Sequence, residues 1–220
     1  MTKSAPTPSA APTGLHPRTI TPVFPLLLFE TMRDMDRPEE ILEGEELSAS
    51  LPRRFGLSDV VFSQIHRFRE EVRRKRPQGE AEIENLIKLV IRRPDAERIF
   101  EEAGKRLARR AWEERSPFLR GSVRVMPPTL ALRAASRAAR RLLNQVTGNA
   151  SYQINTRQGS IRITGSLTAR ADPAGSACAF YGGVLAEVME RYTRRHYRAS
   201  HSGCEARGAA ECEWTLLVKS

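Results

Sequence analysis

Apolar positions recur at helical spacing through the first two thirds of the chain and at alternate positions in the last third. Val61, Ile65, Phe68 and Val72 follow one another at intervals of four, three and four. That spacing predicts a helix, with Ser58 as its N-cap. The run Arg73, Arg74, Lys75, Arg76 and then Pro77 closes it, since basic residues suit a last turn and proline stops a helix. Ile83, Leu86, Ile87, Val90 and Ile91 share one face of a further helix that ends at Pro94. Ile99, Ala103, Leu107 and Ala111 mark a long helix with Gly104 inside it. A glycine there costs about 1 kcal/mol against alanine, so it points to close packing on another backbone. Pro127 and Pro128 open a helix with Leu130, Ala134, Ala138 and Leu142 in phase, and Gly148 closes it.

The period then changes to two. Large and polar residues alternate over Ser151–Thr156 and again from Ser160 through Leu167, with Arg157, Gln158 and Gly159 as the turn between them. Cys178 opens a helix carrying Val184, Leu185 and Val188. Two more strands follow, over about Tyr197 to Ala206 and over Cys212 to Val218. Runs of helices followed by hairpins predict an α+β fold, with helices packed on a small antiparallel sheet.

Composition sets the boundaries. Residues 1–25 are rich in Ala, Pro, Ser and Thr and hold few large apolar side chains, which predicts a disordered tail and not a secretory signal. The apolar run Phe24–Phe29 is too short to span a bilayer. Residues 26–93 read as a helical extension for dimerisation or partner contact, acidic at first (Glu39, Glu40, Glu43, Glu45, Glu46) and basic afterwards. Residues 94–220 read as one domain. The net charge of +10 is carried almost wholly by arginine. These arginines are spread along the sequence, which favours a solvated surface over a nucleic-acid patch. The expectation is a soluble, cytoplasmic chain.

The most specific chemistry lies in the cysteines. Three of them is too few, and the wrong parity, for a secreted disulfide framework. A hairpin centred on Gly208 would set Cys204 opposite Cys212. His201 lies three residues before Cys204, and Cys178 stands at a helix start, which favours a thiolate. Cys178, His201, Cys204 and Cys212 therefore form a candidate Cys₃His zinc set. A cross-strand disulfide, or a pair of small buried residues, is the alternative for Cys204 and Cys212.

Three stretches carry a resemblance. They are Ile99-Phe-Glu-Glu-Ala-Gly-Lys-Arg-Leu-Ala, Cys178-Ala-Phe-Tyr-Gly-Gly-Val-Leu, and Cys204-Glu-Ala-Arg-Gly-Ala-Ala-Glu-Cys212-Glu-Trp. Residues 94–218 resemble the vinyl-4-reductase domain, a predicted hydrocarbon-binding family related to the TRAPP fold and to phenol-sensing regulators. The resemblance implies a pocket for a small hydrophobic molecule such as a hydrocarbon, an aromatic or a tetrapyrrole. It also implies a zinc ion held by three cysteines and one glutamate. Cys178, Cys204 and Cys212 match the cysteines, and His201 stands where the family has its glutamate.

Trp112, Phe118, Tyr152, Phe180 and Tyr181 are candidate pocket walls, with core packing as their plainer role. Two other readings stay open. One is a 4-vinyl reductase, or its accessory, in bacteriochlorophyll synthesis. A Gly-rich dinucleotide fingerprint is missing, and His16, His66 and His196 show no acid partner in sequence. A zinc with four protein ligands also leaves no open position. The other reading is a regulator whose basic helix, residues 58–76, contacts nucleic acid or a partner protein.

Overall fold

A computed structural model describes residues 19–36, 59–148, 150–155 and 159–218. Ser58, expected as an N-cap, and Glu39, Glu40, Glu43, Glu45 and Glu46 lie outside the described residues. The fold is α+β. In chain order the elements are β1 (Thr19–Ile20), α1 (Val23–Met35), α2 (Asp59–Arg73), β2 (Gln78–Gly79), α3 (Glu80–Val90), α4 (Ala96–Glu113), α5 (Pro117–Ser122) and α6 (Pro128–Val146). They continue with β3 (Ser151–Asn155), β4 (Ser160–Thr164), α7 (Leu167–Ala171), α8 (Ala179–Thr193), β5 (Tyr197–Gly203) and β6 (Cys212–Val218). The main sheet is antiparallel in the order β3-β4-β6-β5.

Helix α8 lies at the centre. It is apolar on nearly every side, as a helix with no solvent face must be. The sheet covers one side: an added Cβ on Gly182 would lie 3.0 Å from Ala199 Cβ and 3.1 Å from Trp214 Cδ1. On the other side α4 crosses it backbone to backbone. A Cβ on Gly104 would lie 2.1 Å from the Phe180 carbonyl oxygen, and one on Gly183 would lie 2.1 Å from that of Glu101. Gly104 thus has the role its place inside a helix predicted. The buried Glu187 on α8 is held by Arg109 at 3.2 Å and Arg191 at 2.8 Å, so its charge does not go unpaired.

Several boundaries differ from expectation. Residues 19–25, read as part of a tail, are instead structured: Thr19–Ile20 pairs with Gln78–Gly79, and Ile20 and Phe24 are buried. Residues 1–18 lie outside the described residues. Apolar side chains on both sides of residue 93 enter one core, where Phe24 packs edge-on against Phe180 at 4.7 Å and Phe29 stacks on Phe68 at 5.9 Å. Strand β4 stops at Thr164 and does not run on through Leu167. Gly165 turns the chain at φ +72°, and the Ser166 hydroxyl accepts from the Ala169 N–H at 3.2 Å, capping α7. Such a cap is worth about 1 kcal/mol. The chain also ends β5 at Gly203, so Cys204 begins a turn and is not a strand residue.

Candidate metal centre

The register of β5 on β6 explains how the cysteines meet. From Tyr197↔Val218 to His201↔Trp214 the paired numbers sum to 415, and a bulge at Ser202 then shifts the pair Gly203↔Glu213 to 416. The expected hairpin register therefore holds only past the bulge. A bulge bends its strand and re-aims the side chains beyond it. Here it swings Cys204 off the ladder toward the core, where Cys212 opens β6 and Cys178 is the N-cap of α8.

The three sulfurs converge. All three cysteines are buried, and their Sγ atoms lie within 4.8 Å of one another. Cys178 and Cys212 are 3.9 Å apart, far beyond the ~2.05 Å of a disulfide bond. The expected alternative of a Cys204–Cys212 disulfide is not formed; all three cysteines are free. Gly175, at φ +79°, sits against Cys204, and an added Cβ there would lie 2.6 Å from its sulfur. Asp172 fixes this loop by accepting from the N–H groups of Ala174 at 3.0 Å and Ala177 at 2.7 Å. Thr168 Oγ1 lies 3.5 Å from Cys178 Sγ, and the Glu205 N–H donates to Cys212 Sγ at 3.3 Å.

These contacts divide the charge. The Cys212 thiol is pushed well down, chiefly by its hydrogen bond with Cys178; His201 and the Glu205 N–H act the same way, and burial opposes them. The Cys178 thiol is pushed up, first by that bond to Cys212 and then by burial. Three buried sulfurs at this spacing, one already favoured as thiolate, can hold a metal ion.

His201 stands at the edge of the cluster and not within its 4.8 Å spacing. Its ring stacks on Trp214, with centroids 4.6 Å apart and planes 5° from parallel. Nε2 is buried with no hydrogen-bond partner, while Nδ1 faces Arg207 Nη2 at 3.4 Å. An orphaned buried nitrogen costs about 1–3 kcal/mol, and a metal ion would relieve it. Three thiol sulfurs and an imidazole suit a soft, tetrahedral ion such as zinc.

The five candidate pocket residues do not line one cavity. Phe180 and Tyr181 are fully buried in the core, with Tyr181 edge-on to Trp214 at 5.8 Å. Phe118 is 82 % exposed on α5. Tyr152 sits on the edge strand, its hydroxyl donating to Asn144 Oδ1. Trp112 alone lines open space. It stacks edge-on against Tyr192 at 5.1 Å and belongs to both a cavity of about 300 Å³ and an adjoining one of about 600 Å³. Sequence reading missed this cleft because its walls come from four separate helices, and the alanines and arginines among them carry no pocket signature.

Helix α2 carries ion pairs along its length, but of its closing basic run Arg73 and Arg74 share the single carboxylate of Glu70. Arg67 pairs with Glu82, Arg69 with Glu30 at 2.8 Å, and Arg73 with Glu70 at 2.8 Å. His196 has an acid partner after all, Glu190 at 3.1 Å. No described helix is long and apolar enough to cross a membrane. No protein-family model, curated protein or solved structure matches the chain.

Proposed function

We propose that the chain is a zinc-stabilised binding domain for a small hydrophobic molecule. In this reading Cys178, Cys204 and Cys212 supply three thiolates and His201 the fourth ligand. The observation that carries it is the meeting of three buried sulfurs beside a buried imidazole nitrogen that lacks a partner. When bound, a zinc ion with four protein ligands supplies folding free energy and no open position for chemistry. The residues it would join are the bulged end of β5, the start of β6 and the N-cap of α8. The small molecule then lies in the cleft at Trp112 and Tyr192, whose floor is Ala108, Ala111, Leu142 and Val188.

One observation favours a second reading of His201. If Arg207 donates to Nδ1, Nε2 carries the proton and offers a donor, not a lone pair. The metal would then have three protein ligands and a free position, as catalytic zinc sites do.

Native mass spectrometry of the chain purified without chelators tests the proposal. The expected spectrum carries one zinc per chain, and a further mass increment from a small molecule in part of the population. A folded, stable chain without metal would overturn the zinc assignment. Metal without any small molecule, even after incubation with alkanes or phenols, would overturn the binding role.

A further inference from the structure

The larger cavity differs in chemistry from the smaller one behind it. The inner space has an apolar side of Ala108, Ala111, Leu142, Val188 and the Trp112–Tyr192 pair, with Arg115 over the Tyr192 ring at 5.3 Å and Arg141 also on its lining. The outer space is lined by Arg120 and Arg124, from α5 and the turn after it, and by Arg194 and His196, just past the end of α8. Trp112 and Arg191 line both. Together these volumes match the usual range of ligand pockets, about 300–1,000 Å³.

The charges in the mouth are not balanced. Arg191 is paired with Glu187, and His196 with Glu190. Arg120, Arg124 and Arg194 have no carboxylate partner among the described residues, although most arginines of α4 do. Two polar atoms on residues of this cleft are buried and unpartnered: Arg120 Nε at the mouth and Tyr192 Oη deeper in. Buried polar groups are nearly always paired, so each marks a missing partner. Arg194 is also held in the left-handed region at φ +61°, which a side chain adopts only at a cost that glycine avoids. Arg194 is the C-cap of α8, and that backbone turn places it on the lining it shares with Arg120 and Arg124.

We infer that the cleft binds a free anionic amphiphile, its apolar chain against Trp112 and Tyr192 and its carboxylate or phosphate among Arg120, Arg124 and Arg194. The inference rests on the binding role proposed above and narrows its ligand. Guanidinium groups suit such heads because their paired N–H donors match two oxygens at once. The uncharged hydrocarbons and aromatics among the ligands expected from sequence would leave the buried Arg120 Nε without a partner.

The test compares decanoate with decanol by calorimetry on the zinc-loaded chain. Decanoate is expected to bind at least tenfold more tightly. Arg194→Gly should erase that preference while melting at or above the wild-type temperature, because glycine relieves the left-handed backbone. Arg124→Gln, on an exposed side chain, should weaken decanoate in the same way. Equal binding of decanol and decanoate would overturn the anionic head and leave the hydrophobic binding role standing. Failure of both to bind at millimolar concentration would overturn the two together. Phosphatidylglycerol vesicles offer the same chemistry from a bilayer. If the chain sediments with them and releases decanoate, the anion belongs to a membrane and the free-ligand assignment falls.

Discussion

Cys212→Ser is expected to abolish zinc binding and to lower the melting temperature by ten degrees or more. Cys212 is fully buried between Cys178, 3.9 Å away, and the Glu205 N–H. Structural zinc sites contribute an apparent 10–16 kcal/mol, roughly as much as the whole stability of an ordinary domain. Even a loss of about 4 kcal/mol moves the melting point of a domain this size by roughly 8–16 °C. Without metal the same change would be mild. Serine is smaller than cysteine, and its hydroxyl could still meet the Glu205 N–H, so a shift of only about 1 kcal/mol would follow. Calorimetry with metal analysis on the purified variant separates the two cases. A small shift with zinc retained would remove Cys212 from the ligand set.

Gly183→Ala is expected to destabilise by more than about 2 kcal/mol, against its helix propensity. Propensity alone favours alanine by about 1 kcal/mol in a helix interior. The added methyl would lie 2.1 Å from the Glu101 carbonyl oxygen and 2.9 Å from its carbon. That neighbour is backbone, so no rotamer change relieves the overlap, and α4 and α8 must separate. Overpacking costs about 1–3 kcal/mol where side chains can adjust, and more where they cannot. Separation would also shift Cys178, the N-cap of α8, so zinc affinity should fall with stability. Denaturant unfolding with chelator competition reads both. A variant as stable as the wild type would mean the helix crossing is looser than this geometry.

Much of this architecture was legible in the pattern of residues. Alternation over Ser151–Asn155 and Ser160–Thr164 marked the hairpin, Gly104 marked the close crossing, and Cys178 marked the start of α8. The misses have local physical causes. Leu167 kept the two-residue period for one step too many, while the Gly165–Ser166 turn and cap carried the real boundary. The bulge at Ser202 adds one residue to β5, and no side chain announces it, so the expected hairpin register failed over most of the strand. The pocket residues failed for another reason. Aromatic character identifies large side chains but not the face they occupy, and Phe180 and Tyr181 went into the core. The arginines looked scattered because Arg120, Arg124 and Arg194 come from separate segments, and only the fold brings them to one cavity.

The central claim is a zinc ion on three cysteines and one histidine, and X-ray absorption at the zinc edge tests it most directly. The account predicts three sulfurs at about 2.3 Å and one imidazole nitrogen at about 2.0–2.1 Å. A shell of oxygen and nitrogen without sulfur would contradict it.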